Sequence, residues 1–157
     1  TNESYTVRDD GRGFQSMKEI EEFFETFGTP HNEGDAVYGR FRIGRGQGFA
    51  FAKHKWTTGE FIMDVDVKNK GIDYDLKQDQ PHFHGCLIEA ELYERLSPTE
   101  FQTTKRMLIE LCQYTPIPIF LNDVKLTKDI NAVDWDHETD EAYISIKPST
   151  KLSVYNL

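Results

Sequence analysis

The sequence predicts an α+β fold, and three observations carry that expectation. Apolar residues alternate with polar ones in short stretches: Tyr5 and Val7 against Ser4 and Thr6, and Phe61, Met63 and Val65 against Asp64 and Asp66, as strands with one buried face require. Two capping boxes, Ser16-Met17-Lys18-Glu19 and Ser97-Pro98-Thr99-Glu100, each open a stretch of helical periodicity. Two glycine-rich runs, Asp9-Asp10-Gly11-Arg12-Gly13-Phe14 and Gly44-Arg45-Gly46-Gln47-Gly48-Phe49, bracket the first helix and a polar loop.

The chain has 157 residues, which favours one domain and suffices for a sizeable core. Eleven Phe and seven Tyr argue against disorder. Acidic residues outnumber basic ones 27 to 18, for a net charge of −9. That balance counts against direct nucleic-acid contact but permits a local phosphate site. The two cysteines, Cys86 and Cys112, form no disulfide framework, so a reducing, cytoplasmic setting is expected. No apolar run approaches the roughly 18 residues of a membrane span, and no signal-peptide pattern is visible.

Taken in order, Tyr5 to Asp9 reads as a strand that delivers Asp9 to its end. Ile20, Phe23, Phe24 and Phe27 recur at helical spacing, predicting an amphipathic helix over about Met17–Phe27 that Gly28 stops. Thr29 to Arg42, with Pro30, Gly34 and Gly39, reads as a mobile loop. A second, buried helix is expected from Gly48 to about His54, then a turn at Trp56-Thr57-Thr58-Gly59 and a half-exposed strand from Phe61. Lys68 to Gln80 reads as a hairpin connection and His82 to Glu91 as a strand. The helix opened by Ser97 runs to about Gln113. The Pro116–Leu121 stretch suits a sheet edge, and Asn122-Asp123 reads as a hairpin turn. Short strands are expected at Ala142–Ile146 and Leu152–Tyr155.

The two glycine runs carry the candidate chemistry. Asp9 is a carboxylate that can accept hydrogen bonds from an exocyclic amine, and Gly11 and Gly13 let the backbone approach a flat ligand. In the second run the alternate glycines leave the N–H groups of Gly46 to Phe49 for an anion, with Arg45 as a cation. Either run alone also fits a tight turn or a closely packed helix. His82, His84 and Cys86 could share a strand face and meet a zinc ion, yet no C-x-x-C or second-shell partner supports that.

Together the runs resemble the nucleotide-binding boxes of the GHKL ATPases, which include DNA gyrase, the 90-kDa heat-shock chaperones, sensor histidine kinases and MutL. Asp9-Asp10-Gly11-Arg12-Gly13 resembles the first box, Gly44 to Gly48 the second. Gly85-Cys86-Leu87-Ile88 resembles the Gly-Thr box, with Cys86 where Thr is usual. The segment from Gly85 through the Pro116–Phe120 stretch is similar in order to the heat-shock chaperone branch. The resemblance implies a Bergerat-type two-layer sandwich over residues 1–128, a mixed, mostly antiparallel sheet with helices on one face. Residues 129–157 would then extend the sheet or start a following domain.

It further implies an ATP or ADP ligand. Asp9 would hold the adenine amine, Asp10 and Gly13 would complete the base pocket, and Gly11 would serve the turn. The backbone of Gly44, Arg45, Gly46, Gln47, Gly48 and Phe49 would carry the phosphates, with Arg42 or Arg45 adding charge. Cys86 would weaken the contact that a Thr hydroxyl makes at the base. Residues between about Phe27 and Gly48 would form a lid. Family members place a Mg²⁺-binding Asn, and in many cases a catalytic Glu, on a helix well before the first box. Only eight residues precede Asp9, so that helix is expected outside this sequence, no catalytic residue is assigned within it, and a self-pairing or upstream partner is expected. Three functions fit: a chaperone-like ATPase, a DNA topology or repair ATPase, and a nucleotide-binding or interaction module without hydrolysis.

Overall fold

The computed structural model describes residues 1–28, 43–139 and 142–146. The loop expected over residues 29–42, Arg42 within it, and the strand expected over Leu152–Tyr155 lie outside them. The chain forms two compact units, Thr1–Ser97 and Pro98–Leu157.

The first unit is built on a five-stranded sheet in the order β1-β5-β2-β3-β4. Its strands are β1 (Ser4–Asp9), β2 (Ala52–Gly59), β3 (Phe61–Val65), β4 (Tyr74–Lys77) and β5 (Phe83–Leu92). Every ladder in it is antiparallel. The α+β expectation therefore holds. Among the described residues three helices accompany the sheet: α1 (Met17–Glu19), which runs on as a π-helix over Ile20–Glu25, α2 (Gly44–Phe49) and the short α3 (Val67–Lys70).

Register decides which residues share a face, because directly opposed residues on neighbouring strands point the same way. Tyr5, Ala90, His54, Val65 and Tyr74 form one such row. Val7, Ile88, Trp56, Met63 and Leu76 form the next, and Asp9, Cys86, Thr58 and Phe61 the third. This face carries the core. Ile20 and Phe24 of α1 and Phe49 of α2 bury against Phe61, Met63 and Val65, with Phe14, Trp56 and Tyr74 packed around them. Phe24 is the hub: its ring meets those of Phe14, Phe49, Trp56 and Tyr74 at 5.3–6.2 Å, in the edge-on geometry that aromatic quadrupoles favour. Toward β1 the cover thins, and Tyr5 and Val7 are 40% and 49% exposed. The opposite face is charged, with exposed pairs such as Lys55–Glu89 (3.1 Å) and Lys77–Asp64 (3.6 Å). Exposed pairs of this kind contribute little to stability.

The structure redraws three expected boundaries. The second helix runs over Gly44–Phe49, not Gly48 to His54, and β2 starts at Ala52. From Ala52 onward Lys53 and Lys55 alternate with buried Ala52 and His54, so the period is that of a strand. Trp56 to Thr58 continue that strand, and the chain reverses only at Gly59, whose φ is +53°. A Cβ on Gly59 would stand 2.2 Å from the Phe14 carbonyl oxygen, so only glycine fits there. The polar 68–80 stretch contains most of α3 and all of β4, because Tyr74 and Leu76 alternate with Asp75 and Lys77 against the core.

In the second unit, α4 (Pro98–Cys112) follows the Ser97 box as expected. The proline-rich stretch yields only β6 (Phe120–Leu121), paired with β7 (Val124–Lys125). Asn122 and Asp123 make the predicted turn between them, with φ of +48° and +64°. A 3₁₀ turn at Ile130–Ala132 precedes β8 (His137–Glu138) and β9 (Tyr143–Ile144). The Trp135 ring joins Tyr114 (5.4 Å) and Tyr143 (5.6 Å), and the Lys128 N–H donates to the Gln113 carbonyl at 2.7 Å.

Candidate functional site

Asp9 is the last residue of β1 and is exposed. Its Oδ1 accepts the N–H of Gly11 at 2.9 Å, so the carboxylate is oriented by its own turn. Across the ladder Asp9 faces Cys86, and Cys86 faces Thr58. The first glycine run and the Gly85-Cys86 pair, distant in sequence, thus lie side by side.

Backbone packing explains the glycines at this junction. Gly13 has a φ of +66°, and a Cβ there would meet Thr58 Oγ1 at 2.4 Å and the Gly85 carbonyl oxygen at 2.6 Å. Gly85 has a φ of +82°, and its Cβ would stand 2.1 Å from the Asp9 carbonyl oxygen. Each excludes a side chain by its conformation and by a rigid neighbour. Gly11 is less constrained: its Cβ would meet the Asp9 carboxylate at 2.9 Å. Asp10 is exposed beside them.

Thr58, absent from the sequence-derived site, holds this junction together. It is fully buried. Its hydroxyl donates to the Gly85 carbonyl at 2.9 Å and accepts the Phe14 N–H at 3.0 Å. The turn between Asp9 and Phe14 is fastened to α1 as well. Arg12 Nη1 donates to both carboxylate oxygens of Glu19 at 2.8 and 3.0 Å, and Gln15 N–H donates to the same group at 2.9 Å. Burial pushes the Glu19 carboxyl up, but these donors outweigh it and hold the group below its ordinary range. At Cys86, burial first and the Asp9 charge second push the thiol up to about 12.

The second glycine run forms α2. The N–H groups of Gly46 and Gln47 donate to the Ile43 carbonyl at 3.0 and 3.3 Å, closing the first turn. A Cβ on Gly46 would meet Phe27 Cε1 at 2.7 Å, and one on Gly48 would meet His54 Cε1 at 2.8 Å. Gly44, by contrast, has no heavy atom of the described residues within 4 Å of its would-be Cβ. Arg45 lies over the Phe27 ring and donates from Nε to the Phe24 carbonyl at 3.0 Å and from Nη2 to the Thr26 carbonyl at 2.6 Å. Gln47 is exposed, and Phe49 is in the core, 6.1 Å from the Phe24 ring. The structure therefore gathers Asp9, Gly11, Gly13 and Cys86 around Thr58, and Arg45 and Gly46 around Phe27. Edge-on ring contacts run from Phe14 to Phe24 to Phe49 through the core between the two groups.

His54 also escaped sequence reasoning. It is 2% exposed, its Nε2 shares a 2.7 Å hydrogen bond with Tyr5 Oη, and its Nδ1 is buried without a hydrogen-bond partner among the described residues. Burial lowers its pKa. The signal that would have found both His54 and Thr58 is the alternation that begins at Ala52.

No group of three His, Cys, Asp or Glu residues among the described residues could hold a metal ion. The zinc grouping of His82, His84 and Cys86, already unsupported by the sequence, would need an unbroken strand period, which the positive φ of Gly85 interrupts. Among the described residues no helix is long and apolar enough to cross a membrane. No family model and no curated protein matches this chain.

Proposed function

We propose that this chain is the nucleotide-binding part of a GHKL-type, heat-shock chaperone-like ATPase. The observation that carries the reading is the row Asp9–Cys86–Thr58. It sets the Asp-bearing glycine turn directly against the Gly85-Cys86 pair, the two segments that the resemblance places at the adenine base. Asp9 would accept the adenine amine through a carboxylate already oriented by Gly11. Gly13 and Cys86 would flank the base, with Asp10 at its rim. The second run would face the phosphates, with Gly44 at the open start of α2. Arg45 would add charge there only by sharing donors now given to the Phe24 and Thr26 carbonyls. Bound ATP would supply the energy of phosphoryl transfer for conformational change, with Mg²⁺ as its usual counter-ion. ATP and ADP are the expected ligands, a second copy or an upstream segment the expected partner, and the cytosol the expected compartment.

A second reading is a module that binds nucleotide without hydrolysing it. It is favoured by a thiol, Cys86, in the segment where the resemblance expects a hydroxyl. One experiment tests both. Titration of the chain with fluorescent ATP and ADP, with Asp9→Asn as control, should reveal Asp9-dependent binding. The chain itself should release no phosphate above that control, because the water-activating residue is expected outside it; release by a longer protein that includes the upstream helix would favour the ATPase over the module. Binding that ignores Asp9 would overturn both readings.

A further inference from the structure

We infer that Thr58 is a positioning residue for nucleotide recognition, acting on the Asp9 carboxylate through the glycine turn. The inference rests on the nucleotide reading above and adds to it a residue that the glycine boxes do not contain. A hydroxyl carries one hydrogen and two lone pairs. Here the hydrogen goes to the Gly85 carbonyl and a lone pair takes the Phe14 N–H. Both backbone groups belong to segments that must meet at the proposed base site. The pairing of β1 with β5 ends at Asp9 and Cys86, so the ladder does not hold residues 10–14. Thr58 reaches them from the third strand, β2, where it stands opposite Cys86.

The path from Thr58 to Asp9 is short. Its hydroxyl anchors Phe14, the far end of the turn. Gly13 is pressed against the same oxygen, where even a methyl group would stand at 2.4 Å. Gly11, in the middle of the turn, donates the N–H that orients Asp9 Oδ1. Loss of the hydroxyl releases Phe14 from β2 and loosens the group that aims the carboxylate, while Arg12 and Gln15 still tie the turn to Glu19. Thr58 is fully buried, so water cannot take the place of the hydroxyl without rearrangement. Valine has the shape of threonine but no hydroxyl, whereas serine keeps it.

The test is a double-mutant cycle on the full chain, read as affinity for fluorescent ADP. Thr58→Ser should bind within about twofold of the native chain, and Thr58→Val about tenfold more weakly. Asp9→Asn should cost about tenfold in the native background but no more than about threefold in the Thr58→Val background. That loss of the Asp9 effect is what a purely structural role would not produce, because a reduced folded fraction lowers all affinities alike. Thr58→Cys, whose thiol is a weak donor, carries the same cycle if circular dichroism shows Thr58→Val unfolded. Independent, additive costs would overturn the inference and leave the nucleotide reading standing. Failure of the native chain to bind ADP would overturn the reading and the inference with it.

Discussion

The guanidinium of Arg45 lies over the ring of Phe27, 4.3 Å from its centre, while two of its nitrogens donate to the carbonyls of Phe24 and Thr26. One side chain thus satisfies the carbonyls that the end of a helix leaves orphaned and places a cation at its negative pole. It also joins the helix that follows the first glycine run to the helix made by the second.

Arg45→Ala should therefore destabilise the first unit by about 1–2 kcal/mol, read as a lower urea midpoint. Arg45→Lys should recover less than half of that, because an ammonium cannot form two directed bonds and stack at once. A midpoint unchanged in Arg45→Ala would mean the contacts are replaced by solvent at no cost.

Asp9→Asn should leave folding intact, since its side-chain oxygen still accepts the Gly11 N–H, but should weaken ATP and ADP binding at least about tenfold. The amide replaces an acceptor-only carboxylate with a group that can present N–H to the adenine amine. Equal isotherms for the native chain and a folded variant would remove Asp9 from the site.

His54 makes stability depend on pH. Its folded pKa lies below the ordinary 6.5 because burial disfavours the cation. The unfolded chain then binds more protons as pH falls below that value, so stability is fully present above 6.5 and is lost toward the folded pKa. The slope from this residue reaches at most about 1.4 kcal/mol per pH unit. Thermal melts between about pH 8 and pH 5 should show a shallower decline for His54→Leu than for the native chain. Parallel declines would assign the acid sensitivity to other groups.

The glycines should separate by cause. Gly85→Ala combines a left-handed φ with a carbonyl oxygen 2.1 Å from the new methyl and should cost about 3 kcal/mol or more. Gly71→Ala has the positive φ without the collision and should cost about 1–2 kcal/mol. Gly44→Ala has neither and should be neutral or stabilising by up to about 1 kcal/mol. If Gly44→Ala nevertheless lowers ATP affinity while ADP affinity is less affected, that glycine serves the terminal phosphate. Equal affinities would remove it from the site.

Much of this fold was legible because its signals are local. The alternation at Ser4–Asp9 and Phe61–Val65 marks two of the five strands of the main sheet, a third was expected over His82 to Glu91 and is seen as Phe83–Leu92, and two serine boxes mark α1 and α4. β2 was not legible. Its start follows Phe49-Ala50-Phe51 without a break, and Thr57-Thr58-Gly59 has the composition of a turn. β4 is four residues long, too short for its period to stand out. The site divides the same way. Asp9, Gly11 and Gly13 announce themselves by type and spacing. Thr58 acts on backbone groups 44 residues before it and 27 after it, a relation no local pattern encodes. The glycines misled in part: Gly46 and Gly48 have packing reasons, against Phe27 and His54, that the spacing alone could not distinguish from ligand contact.

The thiol at the junction has a consequence for chemical labelling. With the Cys86 sulfur pushed up to about 12, only roughly one molecule in 10⁵ carries a thiolate there at neutral pH. Maleimides and iodoacetamide attack the thiolate, so Cys86 should modify slowly despite being only half-buried. Unfolding removes both the burial and the fixed neighbouring carboxylate, and the thiol then reacts as an ordinary cysteine. Its alkylation rate under mild denaturant, followed by mass spectrometry, becomes a clock for opening at the Asp9–Cys86 edge of the sheet, with no reporter group added.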